Sequence, residues 1–168
     1  KALRLSRNFG KEAALLAGLK MTSGDAVITI DADLQHPPRI IHSMFEKWQN
    51  GAQVVDAVKR NRDQDSLVAR FRANLFNKLL TRISGIDIQN SSDFKLLDRV
   101  VVKSIVNDFP ERQRFYRGLV DWVGYNHEKI YFDIEPRAEG EGKWSFLDLI
   151  GLATTAIVSF TSVPLRIV

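Results

Sequence analysis

The sequence predicts an α/β fold, and three observations predict it. Apolar runs of strand length at 26–30 and 54–58 alternate with stretches of helical period at 11–21, 39–49 and 66–84, the pattern of a sheet covered by helices. The order extended segment 2–6, helix 11–21, strand 26–30 reads as a βαβ unit, which is normally right-handed. Asp31 and Asp33 follow directly on the second strand, at the carboxyl end where open α/β sheets bind their ligands.

Each element has its own local reason. Ala2–Ser6 is strand-like and Arg7-Asn8-Phe9-Gly10 reads as a turn. Lys11–Met21 carries Ala14, Leu15, Ala17, Gly18 and Leu19 at helical spacing, and Ser23-Gly24-Asp25 closes it. Ala26–Ile30 is the next strand; Pro37-Pro38 ends the extended stretch behind it. A helix over 39–49 presents Ile40, Ile41, Met44, Phe45 and Trp48, and Asn50-Gly51 ends it. Val54–Val58 is a strand that runs into the basic segment Lys59-Arg60-Asn61-Arg62. Between Asp65 or Ser66 as cap and Gly85 as terminator, Leu67, Phe71, Leu75, Leu79 and Ile83 recur every four residues, the strongest helical signal in the chain. Residues 86–94 read as a loop or short strand, Val100–Asn107 as a helix capped by Asp98, Glu111–Val123 as a helix and Tyr125–Ile134 as an alternating strand.

Composition narrows the class. With 168 residues, 45% hydrophobic and 26% charged, the chain is a globular domain large enough for a sizeable core. It has no cysteine, which excludes disulfides, thiolate metal sites and cysteine nucleophiles. A formal net charge of +4 suits anionic partners such as nucleotides or acidic lipid. Nucleic-acid binding is disfavoured, because the basic helix 66–84 carries no recognised nucleic-acid-binding motif.

The segment Val27-Ile28-Thr29-Ile30-Asp31-Ala32-Asp33-Leu34-Gln35-His36-Pro37-Pro38 carries the chemistry. Two acids two residues apart share one side of an extended chain. With Gln35 they form an oxygen donor set suited to Mg²⁺ or Mn²⁺, ions that complete their shell with water and substrate phosphates. The bland alternative is a polar turn with an Asp capping the next helix. Arg62, in the basic run at a strand's end, is placed for phosphate contact; a solvated face is the alternative. His36 and His127 have the chemistry of ligands or bases, although a lone histidine is more often neither, and His42 less still.

Asp-Ala-Asp-Leu-Gln-His-Pro-Pro resembles the metal motif of family 2 glycosyltransferases, in particular the polyprenyl-phosphate branch of dolichyl-phosphate mannose synthases and bactoprenol-phosphate glucosyltransferases. The resemblance extends to Leu5-Ser6-Arg7-Asn8-Phe9-Gly10-Lys11-Glu12, to Ser91–Arg99, to Arg112 through Gly124 and to the Gly-rich loop 136–144. It implies a partial GT-A domain, Rossmann-like, over 1–145, lacking its N-terminal strands and the acidic residues that grip base and ribose. Over 146–168 it implies a juxtamembrane amphipathic helix and the start of a membrane span. Leu149–Leu165 is uncharged but short of the roughly 20 residues a span needs. By the same resemblance Asp33 and Gln35 hold the metal, with Asp31 supporting it or meeting the donor, and Asp93 is the catalytic acid. Arg62, Arg117, Arg137 and Lys143 would meet donor or acceptor phosphate, and Asn8 and Lys11 the donor. Gly142 departs from the family's loop, which has a hydroxyl there.

The expected activity is metal-dependent, inverting transfer of a sugar, glucose on uridine diphosphate above others, from a nucleotide donor to polyprenyl phosphate. The expected place is the cytoplasmic face of a bacterial inner membrane; a homo-oligomer is left open. Residues 1–168 by themselves are expected to be inactive. Rival readings are a membrane-tethered binding module without catalysis, a transferase with another acceptor, and a processive synthase, whose Gln-x-x-Arg-Trp signature is absent.

Overall fold

A mixed sheet organises the computed structural model, which describes residues 2–33, 35–59, 91–109 and 115–133. Its strands are β1 (Ala26–Thr29), β2 (Val54–Lys59), β3 (Ser91–Asp98) and β4 (His127–Phe132), in the order β1-β3-β2-β4. β3 is antiparallel to both its neighbours, while β2 and β4 are parallel. The carboxyl ends of β1, β2 and β4 therefore lie at the same edge as the amino end of β3. The pairing shifts between Asp56 and Val58 on β2.

Alternate residues of the strands face opposite layers. One layer joins Val27, Val54 and Leu97 to Leu19 of α1 (Lys11–Met21), to Val101, Val102 and Ile105 of α3 (Arg99–Asn107), and to Tyr116, Leu119 and Val120 of α4 (Tyr116–Trp122). The other packs Val55, Ala57, Phe94, Leu96 and Phe132 against Met44 of α2 (Ile41–Gln49), with Trp48 beside it. The result is a sheet covered by helices on both faces, as the alternation of segments predicts.

The helices begin and end where local chemistry directs. Gly10, at φ 87°, precedes α1, and the Asn8 carboxamide oxygen accepts the Gly10 N–H at 2.9 Å. A 3₁₀ turn at Pro38–Ile40 leads into α2, a position where proline's missing N–H is no loss. Gly51, at φ 101°, turns the chain after α2. Asp98 caps α3 by accepting the Val100 N–H at 2.8 Å, as its place before an apolar helical run predicts.

Residues 2–6 do not form the expected strand. Ala2, Leu3, Arg4 and Ser6 lie exposed, and among the described residues they have no ladder partner, which an extended segment needs to become a strand. The helix expected over 66–84, the Gly-rich loop 136–144 and the C-terminal segment 146–168 lie outside the described residues. Among the described residues no helix is long and apolar enough to cross a membrane.

Candidate active site

The antiparallel pairing of β1 with β3 brings the two singled-out carboxylates together. The register sets Thr29 against Lys95; carried two residues past the ladder's end, it sets Asp31 opposite Asp93. Like charges facing across a pair repel, and here cations separate them. The Lys11 ammonium, from the first turn of α1, lies 2.8 Å from Asp31 Oδ1 and also pairs with Asp93. Arg117 of α4 forks onto Asp93 through Nε and a terminal nitrogen at 2.7 and 2.9 Å. Two acids and two bases from four elements thus form one cluster at the sheet edge.

The cluster is polarised by burial. Asp93 is 7% exposed and Lys11 38%. Burial opposes the Asp93 charge, but hydrogen bonding and charge from Arg117, then Lys11, outweigh it and hold the carboxyl at about 2. Burial likewise works against the Lys11 charge, yet its bonds to Asp31 and Asp93 raise its pKa above the lysine norm. Arg117 is raised in the same way by Asp93 against the cost of burial. All three are therefore charged throughout the neutral range.

Polar contacts beneath the cluster fix its backbone. The Thr29 hydroxyl donates to the Asp93 carbonyl at 2.5 Å and lies 3.0 Å from the Tyr116 hydroxyl. Because Thr29 spends its one proton on that carbonyl, the Tyr116 hydroxyl is the donor of the pair. Burial raises the Tyr116 pKa, so it keeps that proton. On the other face His36, read from sequence as a ligand or base, packs against the Phe94 and Phe132 rings at 5.3 and 5.6 Å. It anchors the loop carrying Asp31, Asp33 and Gln35 to the core. His42 is exposed beside Glu46.

A second charged network lies deeper under α4. Lys95 of β3 is wholly buried and pairs with Asp56, its direct partner on β2. His127 Nδ1 meets Asp56 Oδ2 at 2.8 Å and lies 3.9 Å from Asp121 of α4. Burial would raise the Asp56 pKa, but His127 and Lys95 bring it below its usual value. Burial raises Asp121, with Lys95 opposing and Asp56 adding. Ligand atoms of Asp56, Asp121 and His127 lie within 4.8 Å of one another, close enough to share a metal ion. The Lys95 ammonium already supplies a cation there, however, so the geometry reads first as an internal ion-pair network. Sequence reasoning weighed His127 but missed Asp56, Lys95 and Asp121. The signal was present in Val-Val-Asp-Ala-Val and Phe-Lys-Leu-Leu, where a charge interrupts an apolar strand.

The predicted site residues fall into three groups. Asp31, Asp93, Lys11 and Arg117 come together. Asp33 and Gln35 follow in the same loop, where Asp33 Oδ1 accepts the Gln35 N–H at 3.2 Å, while Asn8 sits in the turn before α1. Arg62, Arg137 and Lys143 lie outside the described residues. The oxygen-only set of Asp31, Asp33 and Gln35 fits a hard divalent cation, and Asp31 and Asp33 are each only partly buried. Such an ion must compete with Lys11 for Asp31.

Comparison with known proteins shows the family. Residues 1–116 match the family model described as glycosyl transferase family 2. An uncharacterized glycosyltransferase of Synechocystis sp. is 46% identical over 99% of this chain and 52% of its own length. A bactoprenol glucosyl transferase of Shigella phage SfX is 43% identical over 98% of this chain and 54% of its own. A putative glycosyltransferase of Bacillus subtilis, CsbB, is 36% identical over 99% of this chain and 50% of its own. The chain thus spans about half the length of the curated relatives it matches. An Asp-x-Asp loop at a strand's end, an opposing buried carboxylate and a family match over more than half the residues lead to one conclusion: the chain belongs to glycosyl transferase family 2.

Proposed function

We propose that the protein containing this chain transfers a sugar, glucose from uridine diphosphate glucose, to polyprenyl phosphate with inversion at the anomeric carbon. The observation that carries the reading is that Lys11 joins Asp31 of the Asp-x-Asp loop to the buried Asp93 at one sheet edge. Relatives named bactoprenol glucosyl transferase at 42–43% identity support the acceptor and the sugar. An acceptor of this kind places the reaction at the cytoplasmic face of the bacterial membrane, where nucleotide sugars are found.

In the reaction, an acceptor phosphate oxygen forms a bond to the anomeric carbon while the bond to the nucleoside diphosphate breaks. A divalent cation held by Asp31, Asp33 and Gln35 would neutralise charge growing on that leaving diphosphate. The acceptor needs little help to ionise, since the second pKa of a phosphate monoester is about 6. A carboxyl held at about 2 is also a weak base by Brønsted behaviour. Asp93 therefore does not serve chiefly to remove a proton. It holds Lys11 and Arg117 at the sheet edge and faces the positive charge that develops on the sugar. Arg62, Arg137 and Lys143 would complete the clamp on the two phosphate groups.

The test uses the full-length protein in detergent with undecaprenyl phosphate, Mn²⁺ or Mg²⁺, and a panel of radiolabelled nucleotide sugars. Lipid-linked product from the uridine diphosphate glucose arm, abolished by chelator and by Asp33→Ala, is the expected result. Product from another donor would reassign the sugar. No lipid product from any donor would overturn the reading.

A further inference from the structure

Glu12 is the neighbour of Lys11 on α1, and the chemistry above does not use it. Its Oε2 accepts the backbone N–H of Tyr116 at 2.8 Å, across 104 residues of sequence. That N–H belongs to the first residue of α4, one of the donors that every helix start leaves without an intrahelical partner. The residue before it, Phe115, makes no side-chain cap. α4 has only seven residues, so loosening its first turn disturbs a large part of it.

The next residue in that turn is Arg117, whose two nitrogens fork onto Asp93 at 2.7 and 2.9 Å. Adjacent residues on α1 thus act on the same target from two sides. Lys11 reaches Asp93 directly, and Glu12 holds the turn that delivers Arg117 to it. Tyr116 adds a third tie, its hydroxyl lying 3.0 Å from Thr29 Oγ1.

We propose that Glu12 is a positioning residue for the candidate catalytic carboxylate: by capping α4 from α1 it keeps Arg117 in its two-bonded geometry on Asp93. The proposal rests on the functional reading above. Glu12 need touch neither donor nor acceptor, so its loss changes turnover rather than donor binding.

Steady-state transfer by the full-length protein tests this with Glu12→Ala, Glu12→Gln and Glu12→Asp. Gln keeps an acceptor oxygen at the same reach, Asp keeps the charge but withdraws it by one methylene, and Ala removes the acceptor. Expected is a fall in kcat of about tenfold for Ala, less than the roughly hundredfold that a misplacement of about 1 Å at the reacting centre can cost, with donor KM within about twofold. Asp falls similarly and Gln retains activity. In an Arg117→Ala background the further loss from Glu12→Ala disappears, because residues acting through one partner are not additive. Should Glu12→Ala fail to fold, the contrast between Gln and Asp decides. Glu12→Ala and Glu12→Asp as active as the wild type, or an undiminished Glu12→Ala loss in the Arg117→Ala background, overturns the proposal while leaving the functional reading intact. No transfer by the wild type overturns the functional reading, and this proposal with it.

Discussion

Asp93 is a carboxylate held between two cations in a mostly buried place, and that arrangement makes its charge a determinant of stability as well as of chemistry. Its pKa of about 2 lies below the ordinary 3.8. The folded state therefore favours the ionised form. The resulting stability is present above pH 4 and is lost as pH falls toward 2. The shift corresponds to about 2 kcal/mol. Glu12 acts in the opposite sense: burial raises its pKa above the ordinary 4.5, so its contribution is present below that value and declines as pH rises past it. Asp93→Asn is expected to be less stable than wild type by about 2 kcal/mol at pH 7, with the gap closing as the wild-type carboxyl protonates. Urea midpoints measured from pH 7 down to 2 check this. A gap that stays constant would mean that the ionised carboxylate is not what Lys11 and Arg117 stabilise.

At the scale of elements, short polar contacts fasten helices to the sheet at the points where the site needs them. Asp98 ends β3 and uses both carboxylate oxygens. One caps α3 at the Val100 N–H, and the other accepts the Trp48 indole N–H of α2 at 2.7 Å. The side chain therefore links helices on the two faces of the sheet. Asp98→Ala is expected to cost about 2 kcal/mol, roughly 1 from the cap and 1 from the lost hydrogen bond, read by chemical denaturation. Asp98→Asn retains a capping oxygen and is expected to recover part of that loss.

For the whole molecule, the deciding feature is a sheet whose α4 face is polar in the middle. Lys95, Asp56 and His127 sit on β3, β2 and β4, and Asp121 comes down from α4. Removing one partner of a buried pair leaves an uncompensated charge, so Lys95→Met should destabilise by about 3–5 kcal/mol. Adding Asp56→Leu to Lys95→Met should recover part of this, because apolar replacement of both partners is often close to neutral. Thermal or urea unfolding of the single and double variants measures the difference. A double variant less stable than the single one would show that Asp56 is held mainly through His127.

Much of this was legible along the chain because it depends on neighbours in sequence. Apolar runs marked 26–30 and 54–58 as strands, observed over 26–29 and 54–59; helical spacing marked 11–21 and 39–49, the second opening as a 3₁₀ turn before α2; and an acid before an apolar helical run marked Asp98 as a cap. The Asp-x-Asp loop could be read because strand, acids and prolines lie within a dozen residues. Residues 2–6 show the limit, since an apolar pattern becomes a strand only when another strand supplies its hydrogen bonds. Tertiary structure alone decided that Asp93 faces Asp31. That follows from β3 running against β1 in one register, and shifting that register by a single residue would turn Asp93 to the opposite face. It also decided that Lys11 and Arg117 serve Asp93 and that Glu12 caps α4. Strand order and register join residues far apart in sequence, and no local pattern encodes those meetings.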